Sequence, residues 1–202
     1  ADARGERWLA ISGLLEESLG ETSRGGWRDA ALSVAGREHL VVLHDANTSL
    51  GAFDLESKLI EAGIVGVQLA DYRHFAHGRH HWLAKNGSSS SVLALVSDAD
   101  RSLARRTMRL LPVSVPRAVI DIPGDCEVAQ LASLLAAFHI TEALGFARGI
   151  DPGQPGVPDF GRKLYRLSLG KPQARSRSQV SIDRKEQQRS RPKTARLQQL
   201  SA

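Results

Sequence analysis

Residues 39–71 read HLVVLHDANTSLGAFDLESKLIEAGIVGVQLAD, and this stretch decides the fold. HLVVLH is a continuous apolar run of strand length, which is typical of a strand buried on both faces of a sheet. The polar turn after it leads into a helix predicted over residues 50–62, whose candidate capping residues are Asn47, Thr48 and Ser49. IVGVQLA (64–70) is the second strand. This order predicts a parallel pair joined by a right-handed crossover.

The same alternation of strands and helices continues along the chain. Further strands are predicted at 91–96 and in PRAVIDIP, and KLYRLSL is a candidate edge strand. Helices are predicted at 6–20, 27–36, 76–84, from SDAD to about Leu111, and at 126–147. The order predicts an α/β fold, a three-layer αβα sandwich around a mostly parallel sheet of four or five strands. Ligands of such sheets bind at the carboxyl ends of the strands, which here are HDANTS, DYRHFAHG, SDAD and PGD.

The charge is divided unevenly along the chain. The formal net charge is +5, but residues 171–202 hold nine Lys or Arg and two Asp or Glu, so residues 1–170 are slightly acidic. An acidic body argues against a nucleic-acid-binding domain. The tail has too few apolar residues to offset its chain entropy. We therefore expect a folded domain over 1–170 and a disordered basic tail over 171–202, which is a candidate for weak association with nucleic acid or an acidic protein.

Other features of the sequence concern its compartment. Cys126 is the only cysteine, which excludes an internal disulfide and fits a reducing compartment. No apolar run approaches the roughly 18 residues of a membrane span, and the start carries no signal-peptide pattern. We expect a cytoplasmic protein without a membrane partner. The chain begins with Ala rather than Met, which suggests a fragment or a processed product.

Acid, amine and imidazole side chains are crowded between residues 53 and 81. Asp54, Lys58 and Glu61 are spaced four and three residues apart, so they share one face of the predicted helix. Such a face is either a solvated ladder of ion pairs or a catalytic acid with a supporting amine.

The loop DYRHFAHGRHH (71–81) raises the question of a metal site. It lacks cysteine, has one carboxylate, and does not match the ligand spacing of zinc sites. NGSSSS (86–91) follows a predicted helix and precedes a strand, which is the reverse of the order in a phosphate-binding loop. We expect neither a metal nor another cofactor.

The run FDLESKLIEAGIVGVQLADYRHFAHG (53–78) resembles the sugar isomerase (SIS) fold family. The likeness is to the carboxyl-terminal SIS lobe of the glucosamine-6-phosphate synthases, the glutamine–fructose-6-phosphate transaminases. That lobe has a helix of the form E-G-x-x-K-x-K-E, then a strand and an E-x-K-H-G-P loop. Aligned without gaps, Lys58 falls on the helix lysine, Glu61 on the acid that serves as base, and His77 on the loop histidine. The likeness covers about residues 6–168.

The resemblance implies a sugar phosphate or another carbohydrate derivative as ligand, and isomerase- or aminotransferase-type chemistry. Glu61 would move a proton between adjacent carbons, His77 would act in opening the sugar ring, and Lys58 would hold Glu61 or stabilise an oxyanion. The segment DFGRKLYRL resembles the one that carries a Schiff-base lysine and places either Arg162 or Lys163 at that position, since a two-residue insertion leaves the choice open; Lys163 would contact the sugar carbonyl. The implied substrate contacts are Asp54, Asn47, Thr48, Ser49, Arg79 and Arg162.

Two departures from the family limit what the resemblance implies. Arg79 stands where the loop usually has proline, and the chain lacks the Ser/Thr-rich phosphate loop of the amino-terminal lobe. We therefore expect half of a tandem pair, completed by a second SIS lobe or a homodimer partner. The alternative is a lobe without chemistry that senses a sugar phosphate or completes a partner's site.

Overall fold

The computed structural model describes residues 20–124 and 126–167, together with residues 5, 6, 8, 9, 11–13 and 16. The chain divides into one compact unit over residues 1–156 and a second over 157–202. Within the predicted helix at 6–20, the described residues up to 16 are helical. The predicted tail over 171–202 lies outside the described residues.

Four strands form the sheet of the first unit. All neighbours are parallel, and the strand order is β2-β1-β3-β4. The strands are β1 (His39–His44), β2 (Gly66–Asp71), β3 (Ser90–Val96) and β4 (Arg117–Asp121). Every residue of β3 is buried, because it is a central strand with helices on both faces.

Helices cover both faces of this sheet. They are α1 (Glu21–Ser33), α2 (Ser49–Glu61), α3 (His80–Asn86), α4 (Arg101–Leu110) and α5 (Cys126–Arg148). Buried side chains of α1, α2 and α5 form one core with the sheet, and those of α3 and α4 form a second core on the other face. The predicted three-layer αβα sandwich is confirmed, with a parallel sheet of four strands.

The long helix α5 is the centre of the first core. By length and composition it is apolar enough to cross a membrane, but 56% of its most apolar window is buried inside the protein. Such burial is typical of the core helix of a soluble protein. Its small residues allow a close approach to α2, where a Cβ on Gly51 would lie 2.3 Å from the carbonyl oxygen of Ser133. Only glycine fits at this crossing of two helices.

Two predicted elements differ from the structure. α1 begins at Glu21, six residues before the helix predicted at 27–36, and includes Gly25 and Gly26. The candidate edge strand KLYRLSL (163–169) is not formed over its described residues 163–167, because a short helix α6 (Asp159–Leu164) follows Pro158 in the second unit and a turn follows the helix. Proline before the first helical turn and an acid within it favour a helix start there.

The histidine-rich segment is more helical than predicted. Residues Tyr72–His74 form a helical turn directly after β2, and Phe75–Arg79 form a π-helical turn that leads into α3. Gly78 departs from helical backbone angles inside that turn. The helix predicted from residue 76 therefore begins at His80, after two turns of different geometry.

Candidate functional site at the carboxyl edge of the sheet

The candidate site lies where the chain reverses its direction across the sheet. From β1 the chain crosses to β2 on one side, and it later returns to β3 on the other side of β1. Open parallel sheets bind ligands in the crevice that such a switch creates at the carboxyl ends of the strands. The residues at these ends are therefore the first to consider.

Asp45 occupies the switch point and is 4% exposed. Its Oδ1 accepts hydrogen bonds from the backbone N–H groups of Asn47 (2.7 Å) and Thr48 (3.0 Å). Its Oδ2 accepts one from the Ser97 hydroxyl at 2.6 Å and a longer one from the Ser97 N–H at 3.3 Å. Asp45 thus caps the turn Ala46–Thr48 before α2 and ties the end of β1 to the end of β3.

This network changes the roles expected of the turn residues. Thr48 is fully buried, and its hydroxyl accepts the Asp45 N–H at 3.1 Å, so a substrate contact does not fit its position. The Ser49 hydroxyl donates to the Ala46 carbonyl at 3.0 Å and accepts from Gln130 Nε2 at 3.2 Å. Asp45 caps the short turn Ala46–Thr48, whereas Thr48, one of the three predicted residues, is the N-cap residue of α2 but makes no side-chain capping hydrogen bond to it. Asn47 is half-buried at the edge.

Tyr72, which directly follows β2, is buried and hydrogen-bonded to the backbone of β3. Tyr72 is 2% exposed and its hydroxyl donates to the Leu95 carbonyl at 2.9 Å. Burial raises the pKa of Tyr72 far above its usual value, and the nearby carboxylates of Asp45, Asp100 and Asp121 raise it further. The same carboxylates make this edge of the sheet acidic.

Asp71 closes the end of β2. Its Oδ1 accepts the N–H groups of Arg73 and His74 at 2.9 Å each, and its Oδ2 pairs with His74 Nδ1. Burial raises the pKa of Asp71, but the backbone hydrogen bonds from His74 and Arg73, together with the His74 ring, outweigh it and lower the pKa below its usual value. Asp71 is therefore a helix cap that stays ionised.

An open cleft of about 490 Å³ lies at the carboxyl end of β4, between α1 and α4. Trp27 forms part of its wall, and Arg101 stands at its rim with ion pairs to Asp98 and Asp121. The hydrogen bond with Asp98 raises the pKa of Arg101; burial opposes this, and Asp121 adds to it. Trp27 is only 6% exposed, so the surface that the cleft offers to a ligand is chiefly its rim of carboxylates and a guanidinium, which suits a ligand rich in hydroxyl groups.

The predicted residues of α2 form a different set of contacts. Lys58 Nζ donates to Asp54 Oδ1 at 2.6 Å and lies 4.9 Å from the centre of the Phe138 ring. Glu61 instead accepts a hydrogen bond from the Ser57 hydroxyl at 2.8 Å. Lys58 is thus paired with Asp54, rather than with Glu61 as the resemblance implied.

Glu61 and His77 lie at opposite edges of the sheet. α2 starts near the carboxyl end of β1 and runs back to Glu61, five residues before the amino end of β2 at Gly66. His77 instead follows the carboxyl end of β2. A six-residue strand such as β2 spans about 20 Å. Both side chains are exposed. One chain therefore does not bring the implied base and the implied ring-opening histidine together.

The remaining histidines and Arg79 serve the local fold. His80 Nδ1 lies 2.9 Å from the Phe75 carbonyl, and its ring is 4.3 Å from that of His81. Arg79 donates to the Leu69 carbonyl of the edge strand at 2.8 Å. Among the residues that the structure describes, no group of three or more His, Cys, Asp or Glu is placed to hold a metal ion.

The two basic residues implied near the end of the domain belong to the second unit. Arg162 and Lys163 lie on α6 and are exposed, and Arg162 Nε is 3.4 Å from Asp159 Oδ1. Their contact with a sugar remains a prediction.

Comparison of the chain with protein-family models and with curated proteins gives no match. The site is therefore argued from the fold and its residues. Sequence reasoning missed two of its features, the Asp45–Ser97 link and the cluster of Asp98, Arg101 and Asp121. The sequence did carry a signal for both features: Asp45 follows β1 directly, Asp98 lies two residues after β3, and Asp121 ends β4.

Proposed function

We propose that this chain is a SIS-type lobe that binds a carbohydrate derivative at the carboxyl edge of its sheet. The observation that carries the proposal is the 490 Å³ cleft beside β4, whose rim holds Asp98, Arg101 and Asp121. The carboxylates can accept hydrogen bonds from sugar hydroxyls, and the guanidinium can donate hydrogen bonds to them. The SIS resemblance supplies the ligand class, a sugar phosphate or a related derivative.

In this proposal the phosphate group of such a ligand is bound outside the cleft beside β4. Asp45, Asp100 and Asp121 make the carboxyl edge acidic and would repel a phosphate. In the assembled pair of lobes the phosphate would therefore lie against the second lobe, away from these carboxylates. The chain thus acts as one half of a cytoplasmic isomerase- or aminotransferase-type enzyme and supplies the sugar-ring contacts.

Catalysis in this proposal crosses between two lobes. Glu61 of one lobe and His77 of another form the acid–base pair, because the two residues of a single lobe are separated by the length of β2. Glu61 moves the proton between adjacent sugar carbons, and His77 protonates the ring oxygen during opening. Lys58 pairs with Asp54 within α2 and lies over the Phe138 ring of α5, and this contact helps to position the helix that carries Glu61.

Binding is tested by isothermal titration of the full chain with glucose 6-phosphate, fructose 6-phosphate and the unphosphorylated sugars. We expect the double variant Asp98→Asn/Asp121→Asn to weaken binding about 10- to 100-fold, since hydrogen bonds to charged groups are lost. The variant His81→Asn, at an exposed residue outside the cleft, is the matched control. Failure of the wild-type chain to bind any of these ligands would refute the proposal.

Catalysis is tested by mixing two inactive variants. Glu61→Gln and His77→Asn proteins are each inactive alone, and exchange of their subunits rebuilds one intact pair in every mixed dimer. Random exchange makes half of the dimers mixed, so the expected activity is about a quarter of that of the wild type. Activity retained by either single variant contradicts the catalytic assignment.

A lobe without chemistry is the second candidate function. The separation of Glu61 from His77 favours it, since a sensor or a structural half-site needs no acid–base pair. It predicts that Glu61→Gln and His77→Asn bind sugars as tightly as the wild-type chain and that no mixture turns substrate over. The mixing experiment decides between the two.

A further inference from the structure

A second cavity lies on the opposite face of the sheet from α5, as a groove between α3 and α4. Its volume of about 390 Å³ is within the range of pockets that hold small ligands. We call it the α3–α4 groove. Its apolar lining includes Phe75, Leu83, Ala84, Leu110, Leu111 and Pro112. None of its described lining residues also lines the cleft beside β4.

The groove leaves apolar surface for a ligand to cover. Its floor is formed by Phe75, Leu83 and Leu111, which belong to the core on this face of the sheet. Its walls carry Leu110, which is 86% exposed, and Ala84, which is also exposed. Removal of such surface from water is favourable, so an apolar ligand that lies along these walls gains affinity.

The charged side chains of the two segments that form the groove are all basic. Residues 72–97 hold three Lys or Arg, residues 101–120 hold five, and neither segment contains an Asp or Glu. Of these, Arg105, Arg106 and Arg109 are exposed on α4 and form no ion pair within the described part of the chain. Positive charge is thus concentrated beside the groove, which complements a ligand with a negative group.

The groove has a polar end and an apolar end. α3 and α4 both run from the carboxyl to the amino edge of the sheet, since each follows one parallel strand and precedes the next. His80 begins α3, and its Nδ1 hydrogen-bonds with the Phe75 carbonyl at 2.9 Å, which leaves Nε2 for a ligand. Leu111 and Pro112 follow α4 at the other end. A ligand with one polar group and one long apolar part fits this order.

Arg106 is the cation on the groove side of α4. It lies beside Thr107, which lines the groove, and four residues before Leu110, so it shares one side of the helix with Leu110. Arg105 is turned about 100° further round the helix, away from both. Because an arginine side chain is long, the Arg106 guanidinium can reach the mouth of the groove. Arg105 and Arg106 therefore form a matched pair of exposed cations, one beside the groove and one away from it.

We infer that the α3–α4 groove binds a medium-chain fatty acid. The alkyl chain lies along Leu83, Leu110 and Leu111, and Arg106 holds the carboxylate at the end of the groove where His80 lies. A guanidinium binds a carboxylate through two parallel hydrogen bonds, which fix its position. The site is separate from the sugar cleft, so it does not rest on the proposed function.

Other anionic partners fit the groove less well. A lipid bilayer binds helices through a free apolar face, whereas the apolar side chains Ala104 and Met108 of α4 are already buried against the sheet. A single-stranded nucleic acid stacks its bases on exposed aromatic rings, whereas Phe75 is 4% exposed. The apolar surface that remains is concave and takes a single chain.

Isothermal titration of the full chain with hexanoate, octanoate and decanoate, below their critical micelle concentrations, tests the site. A buried methylene is worth about fourfold in affinity, so each step of two methylenes is expected to tighten binding by about 15-fold. Octan-1-ol has the same chain as octanoate without its charge and is expected to bind at least about 10-fold more weakly. Equal affinity for all three acids, or for octanoate and octan-1-ol, would overturn the inference.

Variants locate the binding within the groove. Ala84→Phe fills the groove and is expected to weaken decanoate binding by about 100-fold or more, whereas Ala147→Phe, at an exposed alanine of α5, is the matched control. Arg106→Glu is expected to weaken binding about 10- to 100-fold, and Arg105→Glu by less than about threefold. If Ala84→Phe lowers the melting temperature, Leu110→Ser replaces it, with an expected loss of about 10-fold.

Vesicles of phosphatidylglycerol distinguish a free fatty acid from a membrane. The basic tail over 171–202 can attract such vesicles by itself, so the measurement is the change that Ala84→Phe makes to sedimentation with them. We expect no change. Loss of vesicle binding in Ala84→Phe would assign the groove to a bilayer, and equal losses of decanoate affinity from Arg105→Glu and Arg106→Glu would show a diffuse attraction to negative charge. Either result would overturn the inference.

Discussion

Replacement of Gly51 by alanine tests the closest contact in the fold. A Cβ at this position would lie 2.3 Å from the carbonyl oxygen of Ser133 and 2.4 Å from its carbonyl carbon. Real Cβ atoms do not approach so closely, so α2 and α5 must separate by about an ångström. Overpacking of this kind costs typically 1–3 kcal/mol, and more when backbone is the obstacle. Alanine returns up to about 1 kcal/mol through its higher helix propensity.

We expect Gly51→Ala to lower the free energy of unfolding by about 2 kcal/mol, measured by urea denaturation followed by circular dichroism. The matched control is Gly25→Ala, at a helical glycine with no atom within 4 Å of the added Cβ, which should gain about 1 kcal/mol. The same substitution thus has opposite signs in α2 and α1.

The double variant Gly51→Ala/Ser133→Gly sharpens this test. Removal of the Ser133 side chain leaves its main-chain oxygen and carbon in place, so we expect no rescue. A Gly51→Ala protein as stable as the wild type would refute the packing of α2 against α5. Full rescue by Ser133→Gly would show that the side chain, rather than the backbone, is the obstacle.

Three other perturbations test the carboxyl edge and the helical layer. Asp45→Asn should lower the free energy of unfolding by about 1–3 kcal/mol in urea denaturation, because an amide nitrogen cannot accept the hydrogen bonds from Ser97 or from the turn. Burial lowers the pKa of His139; Glu142 opposes this shift, and Arg24 and Arg28 add to it. The neutral ring is thus favoured in the folded state. Stability should be complete above about pH 6.5 and fall as the pH drops through the lowered pKa, and His139→Gln should flatten the melting temperature across that range. The pKa of Asp71 is also lowered, so its contribution persists above about pH 4 and is lost in stronger acid; Asp71→Asn should remove this part of the acid-induced decrease in melting temperature.

Local pattern was enough to predict the layers of this protein. The continuous apolar run at β1 predicted a strand buried on both faces, and β1 lies in the middle of the sheet beside β3, which was predicted as a strand. The alternation of strands with helices predicted a parallel sheet. The helix predicted over residues 50–62 ends at Glu61, two residues before Gly63, whose φ of +66° suits glycine at a helix end.

Predictions from spacing along a single helix were less successful at the site. Asp54, Lys58 and Glu61 do share a helix, but Lys58 pairs with Asp54 and lies beside Phe138 of α5. Helical spacing cannot show which neighbouring element a face meets. The hydrogen bond between Ser97 and Asp45 likewise joins residues that are 52 apart in sequence, so local pattern could not predict it.

The sequence by itself determined the fold class, the strand order along the chain and the edge at which polar residues gather, because apolar periodicity and the handedness of crossovers are local properties. Only the tertiary structure decided which side chains meet. It separated Glu61 from His77 by the length of a strand, since a helix after a parallel strand runs back to the opposite edge. It also brought Asp45 to Ser97 and opened the cleft at Arg101, because those contacts join segments that only the assembled sheet makes neighbours.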